Sequence, residues 1–114
     1  MSLESQIYQC SIDFDKYKKL KNQLEWIVTY LTNAKKSGID VKNKVTNLYQ
    51  INDDNSNING RVLNLINNIE NTCNTINNTI IPAIDSAMNN VSNQKYNLQQ
   101  EKQKQDDLAR RKEN

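Results

Sequence analysis

Side chains that do acid-base work, hold a metal or attack a carbonyl are histidines, cysteines and paired carboxylates, and this 114-residue chain has no histidine and two cysteines. Without imidazole, the commonest general base, proton shuttle and metal ligand is missing. Cys10 and Cys73 are far apart and each falls on an apolar stripe, so they read as small buried hydrophobes rather than a redox pair; two cysteines also make no four-ligand zinc site. The neighbours Asp53-Asp54 and Asp106-Asp107 fall in a loop and a polar tail, where paired acids are solvated. No glycine-rich loop cradles a phosphate, and the stretch from Asp53 to Ser56 lacks the glycine and terminal glutamate of a calcium loop. The residue types therefore predict no enzyme, no cofactor and no metal site.

Charge excludes further classes. Lys16, Lys18, Lys19 and Lys21 cluster, but the net charge is only +2 and a charge run on a helix is a solvated face, so no nucleic-acid partner is expected. No apolar run approaches membrane-spanning length, which predicts no membrane insertion. The amino terminus, Met-Ser-Leu-Glu, lacks the basic stretch and apolar core of a cleaved secretory signal, so the expected location is the cytoplasm, with export only by a signal-peptide-independent route.

Two glycines and one proline leave little punctuation for turns, and 36% hydrophobic residues with a mean hydropathy of −0.87 leave little material for a thick core. Long helices satisfy both limits. Leu3, Ile7, Cys10, Phe14, Tyr17, Leu24, Val28 and Leu31 alternate by four and three, interrupted only at Lys21, which is a heptad seam. Ser2 is the expected cap, and Lys35, Lys36 and Gly38 the expected carboxyl end, so helix 1 is predicted over about 3–36. Val41, Val45 and Leu48 predict a short helix over about 40–51, before the loop cluster Asp53 to Asn57. Helix 2 is predicted over about 57–105 behind the Ser56 cap, with Val62, Ile66, Ile69, Cys73, Ile76 and Ile80 on its seam and a frayed tail to 114. Beyond Pro82 the seam continues one residue out of register through Ile84, Met88, Val91 and Leu98. A proline and an inserted residue together predict a kink near residues 78–84 in a continuous helix.

The expected architecture is one domain of the all-α class, an antiparallel helical hairpin of two long amphipathic helices with a break near Gly38 to Asn57 and a kink near Pro82. A tip near residue 54 would set Cys10 opposite the region of residue 98 and far from Cys73, giving no disulfide. Such a hairpin buries one seam per helix, yet Tyr8, Ile12, Trp26, Ile27 and Tyr30 lie off the first seam and Leu63, Leu65 and Ile81 off the second. These eight residues are the candidate partner-binding set. Three or four shorter helices folding into a bundle would bury them internally; otherwise a partner helix or a homodimer covers them.

Length and layout, a helix, a central break and a second helix, resemble the Esx or WXG superfamily of type VII secretion, and most closely the small helical proteins that accompany LXG-type toxins. Where that family carries a Trp-x-Gly turn, this chain has Ile58-Asn59-Gly60, keeping the glycine and a large apolar residue. Ile84-Asp85-Ser86-Ala87-Met88 with the polar heptads that follow is similar to the carboxyl-terminal helix of those proteins. Of the aromatic residues followed four positions later by an acid, the spacing of the family's export signal, Tyr49 with Asp53 fits, whereas Tyr96 meets Gln100 and Phe14 meets Lys18. The resemblance implies a targeting or chaperone protein that packs on the amino-terminal helical domain of an LXG toxin, with a second small helical protein as a further partner, and that is secreted along with the toxin or stays behind. The alternative is a structural coiled-coil protein that homodimerises or scaffolds an assembly.

Overall fold

The computed structural model describes residues 1–49 and 58–113, and every element in them is helical: α1 Leu3–Tyr49, α2 Ile58–Thr75, a π turn Ile76–Ile80 and α3 Ile81–Glu113. The class is the expected all-α helical hairpin, with α1 as one arm and the uninterrupted run from α2 to α3 as the other. Ser2 starts α1 as the sequence predicts: the Ser5 N–H donates to Ser2 Oγ at 3.1 Å, and Glu4 lies in the first turn near the positive end of the helix dipole.

Along α1 the positions 3, 7, 10, 14, 17, 21, 24, 28, 31, 35, 38 and 42 are all buried or half-buried, a heptad seam longer than its apolar residues alone suggest. Lysines fill three of these places. Lys21, Lys35 and Lys42 lay their methylenes along the seam, as Lys95 and Lys102 do on the second arm. Among the described residues the fully buried apolar ones are Cys10, Ile66, Ile76 and Ile84, because two helices enclose only the layer between them.

The chain packs as two compact units, a terminal one of Met1–Asn22 with Pro82–Asn114 and a central one of Gln23–Ile81. In the terminal unit α1 and α3 run antiparallel: Lys102 Nζ lies 3.5 Å from Glu4 and Lys21 Nζ 2.8 Å from Asp85. In the central unit the same sense is fixed by Lys35 with Glu70 at 3.5 Å and by Gly38 against Ile66 and Val62. In the terminal unit Cys10 is level with Val91, Ser92 and Lys95, about one turn short of residue 98, and the tip expected near residue 54 lies outside the described residues. Cys10 belongs to the terminal unit and Cys73 to the central one.

Several boundaries differ from the sequence reading. The helix does not end at 36 and restart at 40; it continues through Gly38 to Tyr49. Gly38 is a seam residue, and a Cβ there would come within 3.2 Å of Ile66 Cγ1, so the glycine permits close approach of the two arms instead of capping a helix. Ile58-Asn59-Gly60 is not a turn but the start of α2, with Gly60 buried. The loop cluster Asp53 to Asn57, with its Ser56 cap, lies outside the described residues. The tail expected to fray is helical to Glu113, where Gln103 donates to Asp107 at 3.1 Å, Asp107 pairs with Arg110, and Arg110, Arg111 and Lys112 complement the helix dipole.

The discontinuity predicted near Pro82 takes the form of a π turn. The Ile81 N–H donates to the Ile76 carbonyl, five residues back, so the turn accommodates one extra residue. Ile81 thereby takes the seam place that a plain heptad would give to Ile80. Ile81 is half-buried and Ile80 is 38% exposed, the reverse of the expected assignment.

Candidate partner-binding face

The eight candidate residues do not share one surface. In the terminal unit Tyr8 is exposed and Ile12 half-buried, one turn apart on the outer side of α1. In the central unit Trp26 and Tyr30 are 67% and 63% exposed, with ring centroids 5.8 Å apart and planes 20° from parallel. That stack holds two large apolar side chains side by side in water. Ile27 and Leu65 are exposed as well, Leu63 is half-buried, and Ile81 leaves the set because the π turn carries it onto the seam.

In heptad notation the seam of α1 occupies a (7, 14, 21, 28, 35, 42) and d (3, 10, 17, 24, 31, 38). An antiparallel pair then has two edges, where e faces e and g faces g. Among the described residues, three ion pairs between the arms join a seam lysine to an acid at an e position: Lys102 to Glu4 and Lys21 to Asp85 in the terminal unit, Lys35 to Glu70 in the central unit. A shallow cleft on the e edge of the terminal unit, lined by Ser11, Asp15, Ser92 and Lys95 over Cys10, Phe14 and Val91, is also polar at its mouth.

The g edge of the central unit is built differently. Ile27, Ala34 and Val41 recur every seven residues on α1, and Tyr30 and Ser37 fall between them, so a second alternation of three and four runs beside the buried seam. Sequence reasoning missed Ala34 and Val41 because it treated Gly38 as a helix end; a seam test carried through the glycine would have found both. The layer that sets Gly38 against Ile66 brings Val41 level with Leu65 and Ala34 level with Thr72. Thr72 Oγ1 donates to the Asn68 carbonyl at 2.9 Å, which satisfies its hydroxyl within its own helix. Glu25, at an e position, is the only charged residue between Asn22 and Ala34.

What this face can do chemically is bury apolar surface. Among the described residues no cluster of three or more cysteine, aspartate or glutamate side chains could hold a metal, and no helix is long and apolar enough to cross a membrane. No protein family, curated protein or solved structure was found to match the chain, so the functional reading rests on its own geometry and chemistry.

Proposed function

We propose that this chain is a non-enzymatic helical binding protein that associates with the amino-terminal helical domain of an LXG-type toxin and helps target it to type VII secretion. The observation that carries the reading is the exposed Trp26–Tyr30 stack on a nearly uncharged stretch of α1. Large aromatic residues supply interface energy out of proportion to their number, and a protein that stayed alone in water would leave that apolar area uncompensated. The second support is the thin core: with four fully buried apolar side chains among the described residues, stability gained on association is large relative to stability in isolation. In this reading the protein supplies helical surface to the toxin, and a second small helical protein completes the complex.

The test is a titration of the full chain with the amino-terminal domain of an LXG-type toxin. The Trp26→Ala, Tyr30→Ala double variant should bind at least about 30-fold more weakly while keeping its helical circular dichroism. Unchanged binding by the double variant removes this face from the interface. Light scattering behind a sizing column addresses the rival scaffold reading, for which a stable homodimer that ignores the toxin domain is the expected result.

A further inference from the structure

The two edges of the central unit are chemically unequal. The e edge carries Glu25 and the Lys35–Glu70 pair around a small apolar spot at Ile39 and Leu63. The g edge offers the uncharged Ile27, Tyr30, Ala34 and Val41 on α1 with Leu65 and Thr72 on α2, and the exposed Lys44 and Arg61 flank its Val41 end. Its profile along the helix axis is large, small, large: Ile27 and Tyr30 at one end, Ala34 level with Thr72 in the middle, Val41 level with Leu65 at the other end.

We infer that the g edge of the central unit is a groove for one α-helix of a partner protein, whose facing stripe is apolar and free of basic residues, repeats as a heptad and is bulky where it passes Ala34 and Thr72. The inference rests on the proposed role in binding a helical partner and specifies where and how that partner docks. Three observations choose the occupant. Alternation by three and four is the spacing at which knobs of a second helix, crossing at about 20°, seat into holes, so the complementary shape is a helix. The groove continues the buried seam of the same two helices, since g positions border d positions, so a third helix there extends an existing interface. The exposed Lys44 and Arg61 on the flanking c rows make the Val41 end of the edge cationic, so a basic stripe there would lose its hydration without gaining a counter-charge. A second copy of this chain fits less well, because the small middle of one groove would meet the small middle of the other and leave a void.

The matched residues Ile27 and Ile39 are each 39% exposed, one on each edge, which makes the test internal to the molecule. Two full-length variants are compared, Ile27→Glu with Val41→Glu on the g edge and Ile39→Glu with Thr32→Glu on the e edge. Each is titrated with the amino-terminal domain of an LXG-type toxin. In parallel each carries, on a flexible Gly/Ser tether, a helix of about four heptads with leucine at both seam positions and only glutamine and serine elsewhere. The inference expects the g-edge variant to lose about 100-fold in toxin-domain affinity, the e-edge variant to stay within about threefold, and the tethered helix to raise the melting temperature of the parent and the e-edge variant alone. Stabilisation by the tethered helix without toxin-domain binding upholds the groove and removes the toxin as its partner. Toxin-domain binding that ignores both variants, or that is lost on the e edge, overturns the groove while leaving the toxin reading in place. A homodimer broken by the g-edge variant with no uptake of the tethered helix also overturns it, assigning the edge to a second copy.

Discussion

The terminal and central units share a seam of the same period, yet their outer surfaces differ. In the terminal unit α1 shows water Asp15, Lys16, Lys18 and Lys19, and α3 shows Glu101, Lys104, Asp106, Arg110, Arg111 and Lys112. In the central unit the exposed side of α2 is mostly amide and hydroxyl, with Asn64, Asn67, Asn68, Asn71, Asn74 and Thr75 beside Arg61 and Glu70, and that of α1 carries Trp26, Ile27, Tyr30 and Val41 among Glu25, Lys36, Asp40 and Lys44. Asparagine and threonine are poor helix formers, so α2 owes its helicity to packing far more than α3 does, with its glutamines and lysines. One end of the chain is finished for solvent. The other is held mainly by contacts, and contacts are what a partner can add.

The largest expected effects lie in the buried layer of each unit. Ile84→Ala in the terminal unit and Ile66→Ala in the central unit remove residues of equal burial, and each should cost about 2–4 kcal/mol in urea unfolding followed by circular dichroism. A cheap Ile66→Ala beside a costly Ile84→Ala would mean that the central unit is not held by its core.

The next effect concerns how the second arm keeps its phase. Deleting Asn78 removes the extra residue of the π turn but forces Pro82 into an ordinary helix, where its ring meets the carbonyl four residues back; the expected loss is about 3 kcal/mol. Adding Pro82→Ala to the deletion should restore or exceed the parent stability, since the seam then runs as an unbroken heptad. A deletion that stays costly after the proline is gone would show that the π turn has a role beyond phase.

The smallest effect sharpens the contrast at the surface. Glu70→Gln in the central unit and Glu4→Gln in the terminal unit each remove one exposed ion pair, and each should change stability by under about 1 kcal/mol, less in high salt. A larger loss would make the e edge a structural latch in its own right.

Much of this was legible before the structure. The period of the seam, the Ser2 cap and the place of the discontinuity follow from residue spacing, because a heptad and a cap are local signals. What escaped came from reading residues by type instead of by register. Gly38 and Lys35 look like a helix end, but they sit on the seam, and tertiary contact with Ile66 and Glu70 overrides their local preference. Ile80 and Ile81 exchanged roles because a proline predicts disruption without saying whether the helix bends, breaks or takes up one more residue. At the candidate face the Trp26–Tyr30 pair was visible from its spacing, whereas Ala34 and Val41 needed the helix to be continuous. Ile81, expected on that face, is placed half-buried on the seam by the π turn.

The aromatic stack has a practical consequence. Trp26 is the only tryptophan in the chain and stands mostly in water beside Tyr30. Its fluorescence therefore reports on this patch of surface alone, unmixed with signal from the core. A helix laid over that patch would shift the emission to the blue and shield the indole from soluble quenchers, whereas docking at the ion-paired edge would leave both unchanged. The protein thus carries an intrinsic optical reporter at the place where its function is proposed to lie.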